Sequence, residues 1–401
     1  MALNSFVFVL IAFIAVLSCR LFATRMIREV IVLLLSLYFL LTYVTQWSQA
    51  GVLFGFLTVV YLIGTAKARS SDLWPSFITI LIVALFWLGL FLIKDPELLA
   101  LLNPFNAHPV KIIGVSYIVF RCITFVLEVV PGSALKPLTF LNYMLFFPTL
   151  LAGPIERYQR FDETTEQSGT SHIDWYGGIN RILNGFIKKF VIADNLMEFG
   201  IFSMISSGQD FSLPILWVGA LLMLALLYLD FSGYCDIVIG VAALMGFKIT
   251  ENFNSPFAAR NLQEFWGRWH ISLGSVIQDY VFSPLSKVAI MTVPRNLQMY
   301  AIASIYVLAM VLVAMWHGTT MGFLIFGILQ GVVLFTIQIR RERARVFAKA
   351  QKLKPAVTPP GRVGLWSGRI ATYCFVSLTM IWWQASVPDA LKTYKKLLGL
   401  L

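Results

Sequence analysis

The chain has 401 residues, of which 58% are hydrophobic and 13% charged, and its mean hydropathy is +0.78. Soluble domains usually contain about 25% charged residues, so this composition excludes a water-soluble globular protein and predicts a chain whose apolar side chains face lipid. The net charge of +11 comes from short Lys and Arg clusters between apolar runs. Without zinc-finger spacing or interleaved aromatic and basic residues, it does not indicate nucleic-acid binding.

Apolar segments follow one another along the chain, and several reach the roughly 20 residues that a helix needs to cross a bilayer. They lie at 3–19, 29–45, 51–66, 74–93, 112–130, 140–152, 176–205, 213–230, 233–247, 299–316, 321–339 and 366–386. The first segment lacks the basic start and the cleavage site of a secretory signal, so we expect it to remain as a span. Others are short or contain Gly, Pro and charge, which predicts re-entrant helices around a cavity. The sequence predicts an all-α polytopic membrane protein.

Clusters of Lys and Arg indicate which loops face the cytoplasm. The loops at 20–28 and 67–73 are basic and the loop between them is not, which places the N-terminus outside. The basic run at 340–354 predicts a further cytoplasmic loop, at 341–365. The charge pattern leaves open the number of crossings between 131 and 298 and the side on which the C-terminus lies.

The four cysteines are far apart, mostly in apolar sequence, and have no CxxC spacing. They are Cys19, Cys122, Cys235 and Cys374. We expect them to be small buried apolar residues rather than redox or metal-binding residues.

Four groups of polar residues interrupt the apolar sequence, where ionisable side chains are costly and are therefore functional candidates. The groups are Glu156, Arg157 and Arg160; Asp230, Ser232, Tyr234 and Asp236; Glu264, Arg268 and His270; and His317. We expect the second group to lie between two hydrophobic helices, at 213–230 and 233–247.

Each group also has a purely structural interpretation. Glu156 with Arg157 or Arg160 is also explained by an ion pair at a helix end. Asp230 and Asp236 are six residues apart and share no helical face, so they would cap helices or bind arginines. The tryptophans beside the last two groups are typical of packing or of the membrane interface.

The four histidines fall into two pairs. His108 and His172 lie in polar sequence, where we expect surface positions. His270 and His317 each follow a tryptophan in apolar sequence. One buried histidine usually only satisfies a hydrogen bond, but two in apolar sequence favour a chemical role, because imidazole changes protonation near neutral pH.

The sequence also predicts where the second pair lies. A hairpin at 299–339 has basic residues at both ends, so His317 at its turn should lie deeper in the membrane or toward the outside. His270 is flanked by Arg268 and Lys287, which favours the cytoplasmic side. We therefore expect the two imidazoles to approach one cavity from opposite faces.

These groups, in this order, resemble the membrane-bound O-acyltransferase (MBOAT) family. The likeness is to its bacterial branch, which includes alginate O-acetylation proteins and the D-alanine transfer protein of teichoic acids. It runs from about residue 112 to 340, and the ordered set of stretches is specific. The stretches are FFPTLLAGPIERYQRF, GFIKKFVIADNL, DFSGYCDIVIGVAALMGFKITENFNSPF, EFWGRWHISL and MWHG.

The resemblance implies a bundle of about 11 transmembrane or re-entrant helices around a central funnel. It divides the chain into N-terminal helices (1–111), a catalytic core (112–340), the cytoplasmic basic loop (341–365), and a C-terminal helix and tail (366–401). It also implies a catalytic histidine at His317 and a second important one at His270, with no metal. We expect nearby residues to bind substrate: Trp316, Trp269, Arg268, Asp279, Glu156, Arg157, Asp230 and Asp236.

Three positions depart from the family pattern. Gly267 and Gln278 stand where relatives often have arginine, which removes positive charge that would hold a donor phosphate or carrier. Gln330 stands where many bacterial members have another histidine after the hairpin. A mechanism that needs three histidines is therefore not expected here.

We expect His317 to take the proton of an acceptor hydroxyl as it attacks an acyl thioester, because a neutral imidazole, favoured by burial, can act as the base. His270 would polarise the carbonyl or orient the donor. No bound cofactor is expected; the donor would be a cytosolic thioester such as acetyl-coenzyme A, and the acceptor an extracytoplasmic polysaccharide or acyl-relay protein. The protein would lie in the inner (cytoplasmic) membrane. D-alanyl transfer to teichoic acid from a carrier-protein thioester and a secondary transporter or flippase are the alternatives.

Overall fold

The computed structural model describes residues 6–22, 24–44, 47–70, 76–94, 114–167, 174–351, 361–384 and 386–400. Its regular structure in these ranges is helical, apart from one isolated antiparallel β-bridge between Phe253 and Trp269. A helix satisfies its backbone hydrogen bonds within one segment, as a bilayer requires. The predicted all-α class is confirmed, whereas His108 and His172 lie outside the described residues.

The chain forms two compact units that alternate along the sequence. The first consists of Met1–Lys189 and Ser232–Glu251, and the second of Phe190–Phe231 and Asn252–Leu401. The four-part division expected from the sequence stays a prediction.

Among the described residues, the first unit begins with eight helices of very different lengths. They are α1 (Phe6–Leu21), α2 (Arg25–Leu41), α3 (Trp47–Arg69), α4 (Ser76–Lys94), α5 (Val115–Glu128), α6 (Pro137–Leu145), α7 (Tyr158–Gln167) and α8 (Trp175–Phe186). Helix α8 continues as a π-helical segment, Ile187–Ala193. Short helical turns follow as far as Phe199. The apolar segment at 176–205 is therefore broken and does not form one straight span.

Arg121 on α5 is buried in the first unit and is held by oxygen atoms. Its Nη1 donates to the carbonyl oxygens of Tyr143 and Met144, at 2.9 and 2.8 Å, near the end of α6. Its Nη2 donates to the Thr149 hydroxyl at 2.7 Å. A desolvated guanidinium is costly unless such bonds are made, so this charge ties α6 and the turn after it to α5.

The second unit contains the remaining helices. They are α9 (Ile201–Ser206), α10 (Leu213–Met245, whose residues from Ser232 onward belong to the first unit), α11 (Leu262–Trp266), α12 (Ile271–Ile277), α13 (Ser283–Thr292), α14 (Gln298–His317), α15 (Met321–Ala350), α16 (Arg362–Thr379) and α17 (Val387–Leu397). Helices α12 and α13 are joined by the π-helical segment Gln278–Phe282.

Helices α14 and α15 form the hairpin predicted over 299–339, and His317 is the last residue of α14. Glycines let the two helices approach closely. A Cβ on Gly331 would meet the Cα of Val307 at 2.6 Å, and one on Gly327 would meet the Cα of Val311 at 2.8 Å. Small residues at such contacts are typical of helix pairs in membranes.

Two expectations about the helices were wrong. The segments at 213–230 and 233–247 are not separate helices with aspartates between them, because α10 runs unbroken through Asp230 and Asp236. Part of the loop expected at 341–365 is also helical, since α15 continues to Ala350. Arginine and lysine are good helix formers, so this basic run extends the helix. The side of the membrane on which it lies stays a prediction.

Four helices of the described residues are long and apolar enough to cross a bilayer. They are Trp47–Arg69, Leu213–Met245, Gln298–His317 and Met321–Ala350. Helix α16 has 18 residues and ends in a 3₁₀ turn, Met380–Trp383, before the amphipathic α17. The C-terminal segment at 366–386 is therefore a helix followed by a tight turn, and Lys395 and Lys396 lie in the last turn of α17.

Four glycines bring α8 against the part of α10 that belongs to the first unit. A Cβ on Gly185 would lie 2.6 Å from the carbonyl oxygen of Gly233, and one on Gly240 would lie 2.9 Å from the carbonyl oxygen of Gly178. Each pair is seven residues apart on its own helix, so both glycines of a helix face the same partner. The contact leaves no room for side chains.

We expect Gly185→Ala to lower the stability of the first unit by about 1–3 kcal/mol, because the added methyl group would overlap backbone atoms that cannot turn away. Thermal unfolding of the purified protein in detergent measures the effect. Gly55→Ala is the control, because a Cβ at Gly55 on α3 meets nothing within 4 Å. The control midpoint should stay the same or rise. Equal midpoints for the two variants would contradict this account of the helix contact.

Candidate active site

His317 lies at the turn of the α14–α15 hairpin, among aromatic rings of the second unit. Its side chain is exposed. The ring centroid lies 4.5 Å from that of Trp316, 4.6 Å from that of Trp383 and 6.2 Å from that of Phe323. The Phe323 ring is nearly parallel to the imidazole, at 15°. The burial expected for this imidazole is therefore not found, but its orientation is fixed by rings on several sides.

His270 is buried, with 6% of its surface exposed, and has an unusual backbone conformation. Its φ of +50° lies in the left-handed region, which costs a non-glycine residue about 1–3 kcal/mol. The surrounding backbone holds it there. The Asn254 N–H donates to the Arg268 carbonyl at 3.0 Å, and the Ile271 N–H donates to the Asn252 carbonyl at 2.9 Å. Such strain is found where a side chain must be aimed in one direction.

The Asn252 side chain determines which nitrogen of His270 carries the proton. The backbone N–H of Ser272, which can only donate, lies 3.2 Å from one Asn252 side-chain atom, and that atom must therefore be the amide oxygen. The Ser272 hydroxyl donates to the same oxygen at 2.8 Å. His270 Nδ1 lies 3.0 Å from it and must also donate. In the neutral ring, Nδ1 carries the hydrogen and Nε2 carries the lone pair.

Nε2 of His270 is buried and has no hydrogen-bond partner within the described part of the chain. His270 lies outside the four candidate spans, and burial lowers its pKa from 6.5 to about 3, so the ring is neutral near pH 7. Nε2 is then an acceptor. This differs from the carbonyl-polarising role expected from the sequence, which needs a donor on that atom.

His270 and His317 both line one cavity of about 180 Å³ in the second unit. Its other lining residues are apolar or aromatic: Leu224, Leu227, Phe231, Phe265, Trp266, Trp269, Leu273, Val313, Phe326, Val376, Met380 and Trp383. None of the residues that line it is acidic. The structure thus brings the two sequence-predicted histidines to the same apolar space.

A second cavity, of about 400 Å³, is also lined by His270. The residues common to both cavities are Trp266, Trp269, His270, Leu273 and Val313. The rest of the larger cavity comes mainly from α12, α14 and the π-helical segment after α12, including Ser275, Gln278 and Tyr306. His270 therefore stands where a molecule in either cavity can reach it.

Gln330 is fully buried on α15 and connects three elements of this wall. Its Nε2 donates to the Thr379 hydroxyl at 2.7 Å, and its Oε1 accepts from the indole N–H of Trp266 at 3.2 Å. Thr379 in turn donates to the Phe375 carbonyl on its own helix. Gln330 thus fixes Trp266, which lines both cavities. It does not line either cavity itself.

Three of the residues expected to bind substrate are close neighbours of the histidines in sequence, but of these only Trp269 lines a cavity. Trp269 and Trp316 are buried, with 8% and 5% exposed, and Trp269 lines both cavities. The Trp316 ring contacts both imidazoles, because its centroid lies 5.8 Å from that of His270 and 4.5 Å from that of His317. Arg268 donates to Glu264 at 2.8 Å. Burial acts to raise the pKa of Glu264, but hydrogen bonds from Arg260 and Arg268 outweigh it and lower the pKa to about 2.

The remaining candidates line neither cavity. Asp279 is exposed in the π-helical segment after α12, and Asp230 is half-buried on α10. Glu156 and Arg157 lie in the first unit, where Arg157 is 3.7 Å from Glu128. Asp236 also lies there. None of these five residues lines either cavity.

Glu156, which is buried, and Asp236, which is half-buried, both have partners within the first unit. Glu156 accepts from the Thr250 backbone N–H at 2.7 Å and from the Thr250 hydroxyl at 2.9 Å. Asp236 accepts from Arg181 at 3.1 Å and from Lys188 at 2.7 Å. These bonds join α8 and the loop after α10 to their neighbours. They are bonds of the structural kind that the sequence left open, beside a substrate role, for Glu156 and Asp236.

Asn252 and Trp383 belong to the site but were not among its predicted residues. Asn252 lies in the NFNSPF stretch and Trp383 in the pair of tryptophans after α16. Asn252 lies within one of the motif stretches, which gave it a sequence signal without a role, whereas Trp383 lies outside all of them and had no such signal. No grouping of three His, Cys, Asp or Glu side chains that would hold a metal ion occurs among the residues that the structure describes.

The sequence pattern of the membrane-bound O-acyltransferase family matches residues 39–379. The chain belongs to this family. The match includes α14 with His317, the loop that carries His270, and all of α16.

Bacterial proteins that act on envelope polymers are similar to the chain. It is 32% identical over 310 residues to the probable alginate O-acetylase AlgI of Azotobacter vinelandii, covering 73% of this chain and 58% of that protein. It is 33% identical over 257 residues to the teichoic acid D-alanyltransferase of Bacillus subtilis (60% and 64%). It is 31% identical over 279 residues to the peptidoglycan O-acetyltransferase of Helicobacter pylori (67% and 49%). The chain thus spans between about half and two thirds of the length of these relatives.

The buried neutral His270 should make the stability of the protein depend on pH. The unfolded chain, with an ordinary histidine pKa of 6.5, binds a proton that the folded chain does not accept until about pH 3. Stability should therefore fall as the pH is lowered through 6.5 and below, by up to about 1.4 kcal/mol per pH unit from this residue. Thermal midpoints measured in detergent between pH 7.5 and 5 should fall less steeply in His270→Asn than in the native protein. Parallel slopes would contradict the assignment of a neutral buried ring.

Proposed function

We propose that the chain is a membrane-embedded O-acyltransferase that moves an acetyl group from a cytosolic thioester to a hydroxyl group of an extracytoplasmic polymer or acyl-relay protein. The observation that carries this proposal is the pair of histidines on one apolar cavity, in a chain of the MBOAT family. The largely apolar lining offers few polar groups that would hold water beside a thioester.

In the proposed reaction the two imidazoles have different tasks. His317 takes the proton of the acceptor hydroxyl while the oxygen attacks the acyl carbon. The Nε2 lone pair of His270 accepts a hydrogen bond from the acceptor or the donor and holds it in the cavity. The sulfur leaves as a thiolate and receives the proton from His317. Positioned acid-base catalysis of this kind contributes about 10²–10⁴-fold.

The lining of the cavity favours acetyl as the acyl group. A D-alanyl group carries an ammonium, which is costly to bury without a partner charge, and no lining residue of the 180 Å³ cavity is acidic. An acetyl group carries no such charge. D-alanyl transfer is the second candidate, supported by the similarity to the Bacillus subtilis enzyme. Its ammonium would have to rest on aromatic faces such as those of Trp383 and Phe323.

The charge pattern of the sequence supports the proposed sides of the reaction. The basic residues of α15, from Arg340 to Lys349, would lie in the cytoplasm, and His317 at the other end of the hairpin would lie toward the outside. The donor would then enter from the cytosol, with acetyl-coenzyme A as the first choice, and the acceptor from the opposite face. This arrangement would place the enzyme in the cytoplasmic membrane.

His317→Ala should reduce acyl transfer at least 10²-fold, because the hydroxyl proton would lose its acceptor. The purified protein in liposomes is given acetyl-coenzyme A labelled in the acetyl group and an extract of envelope polymers, and base-labile label in the polymer is counted. Mass spectrometry then identifies the ester.

Met321→Ala is the matched control for this experiment. Met321 is 59% exposed, begins the second helix of the same hairpin and lines neither cavity, so its variant should keep full activity. Full activity of a folded His317→Ala protein would contradict the catalytic assignment. Passage of the substrate across the liposome membrane without transfer of label would support the transporter class instead.

A further inference from the structure

Trp383 has a hydrogen-bond donor that no described residue accepts. It ends the 3₁₀ turn after α16 and lines the 180 Å³ cavity together with His317 and His270. Its indole Nε1 is buried and has no hydrogen-bond partner within the described ranges. The N–H of an indole can only donate, and buried donors are almost always paired. An orphaned donor on a residue that lines a cavity points to an acceptor atom in the molecule that the cavity binds.

The proposed reaction needs such a donor. When an oxygen attacks a thioester, the carbonyl oxygen becomes negatively charged, and a fixed hydrogen bond at that position is often a large part of catalysis. His270 presents a lone pair at Nε2 and cannot supply this bond. His317 is engaged with the hydroxyl proton. Among the other residues on the cavity wall, Trp266 already donates its indole N–H to Gln330. The ring of Trp269 packs on Phe253 and Phe265, whereas the ring of Trp383 lies next to that of His317.

We propose that the Nε1–H of Trp383 donates a hydrogen bond to the acyl carbonyl oxygen and strengthens it as that oxygen becomes an oxyanion. This assignment rests on the proposed acyltransferase function. The acceptor oxygen forms a bond to the acyl carbon as its proton passes to His317, and the carbonyl electron pair moves to the oxygen facing Trp383. Return of that pair breaks the carbon–sulfur bond, and the thiolate takes up the proton from His317.

The packing of Trp383 suits this role. Its ring centroid lies 4.6 Å from that of His317, with an angle of 36° between the rings, so the donor is close to the proposed base. Phe323 at 5.5 Å and Phe326 at 5.4 Å hold the indole on two further sides. A donor already oriented in an apolar space acts more strongly than one in water, because little reorganisation is required.

The test is Trp383→Phe, which keeps an aromatic ring and removes the N–H. With labelled acetyl-coenzyme A and the envelope polymer extract in liposomes, kcat should fall about 10²-fold while KM for acetyl-coenzyme A changes little, because the bond is strongest in the transition state. Trp382→Phe is the matched control. Trp382 is the preceding residue, packs on Tyr394 at 5.5 Å and lines neither cavity, so its variant should retain native kcat.

An infrared spectrum supplies a readout that does not depend on turnover. The carbonyl stretch of [1-¹³C]acetyl-coenzyme A bound to the native protein should lie below its value in an aprotic solvent and should return toward that value in Trp383→Phe. A native stretch equal to the aprotic value would overturn the assignment even if the variant did not fold.

The outcomes separate this inference from the function on which it rests. Native transfer that is lost in His317→Ala but unchanged in Trp383→Phe would overturn the Trp383 assignment alone. The N–H would then be explained by the edge-to-face contact with Phe326, at 81°. No transfer by the native protein would overturn the proposed function and this inference together.

Discussion

The hydrogen bond between His270 and Asn252 is the interaction on which the site depends. One amide oxygen of Asn252 receives Nδ1–H of His270, the Ser272 N–H and the Ser272 hydroxyl. Since Nδ1 carries the hydrogen, the opposite nitrogen presents a lone pair. The backbone carbonyl of the same Asn252 accepts from Ile271 and helps to hold His270 in its left-handed conformation, so Asn252 contributes to both the strained backbone and the protonation of a buried acceptor that lines two cavities.

Around that acceptor, the second unit uses few polar groups and many rings. Gln330 fixes Trp266 and Thr379 by hydrogen bonds, whereas the indole of Trp383 packs against the rings of His317 and Phe326. Among the described residues, the buried polar atoms of the cavity lining that have no hydrogen-bond partner are an acceptor on His270 and a donor on Trp383. A substrate with one hydroxyl and one carbonyl would use both. In the first unit, Arg121 and Glu156, which are buried, and Asp236, which is half-buried, have several partners each.

Much of the fold followed from the sequence. The length of the apolar segments at 299–316 and 321–339, and the short Gly-Thr-Thr turn at 318–320 between them, identify a helix hairpin without any tertiary information. The two histidines also stood out, since each is the ionisable residue of an apolar run. The break expected between Asp230 and Asp236 failed for a specific reason. Arg181 and Lys188, about fifty residues earlier, neutralise Asp236 on an unbroken helix, and no local pattern reveals this.

The finer features of the site could not have been predicted. Whether an indole N–H is paired depends on which residues fold around it, and Trp383 has the same sequence signal as Trp382 beside it. The tautomer of His270 depends on Asn252, eighteen residues away, and on a single backbone N–H that establishes the orientation of the amide. Substrate roles for Glu156 and Asp236 were plausible because buried charge in a membrane protein can be either catalytic or structural.

The central claim is that both reactants meet in the space that His270 and His317 share. Val313 lines both cavities, so Val313→Trp should fill their junction and abolish label transfer from acetyl-coenzyme A to envelope polymer. Leu308→Trp makes the same kind of change at a position on α14 that is 44% exposed and lines neither cavity, and it should leave transfer intact. Native rates in a folded Val313→Trp protein would show that the chemistry takes place elsewhere.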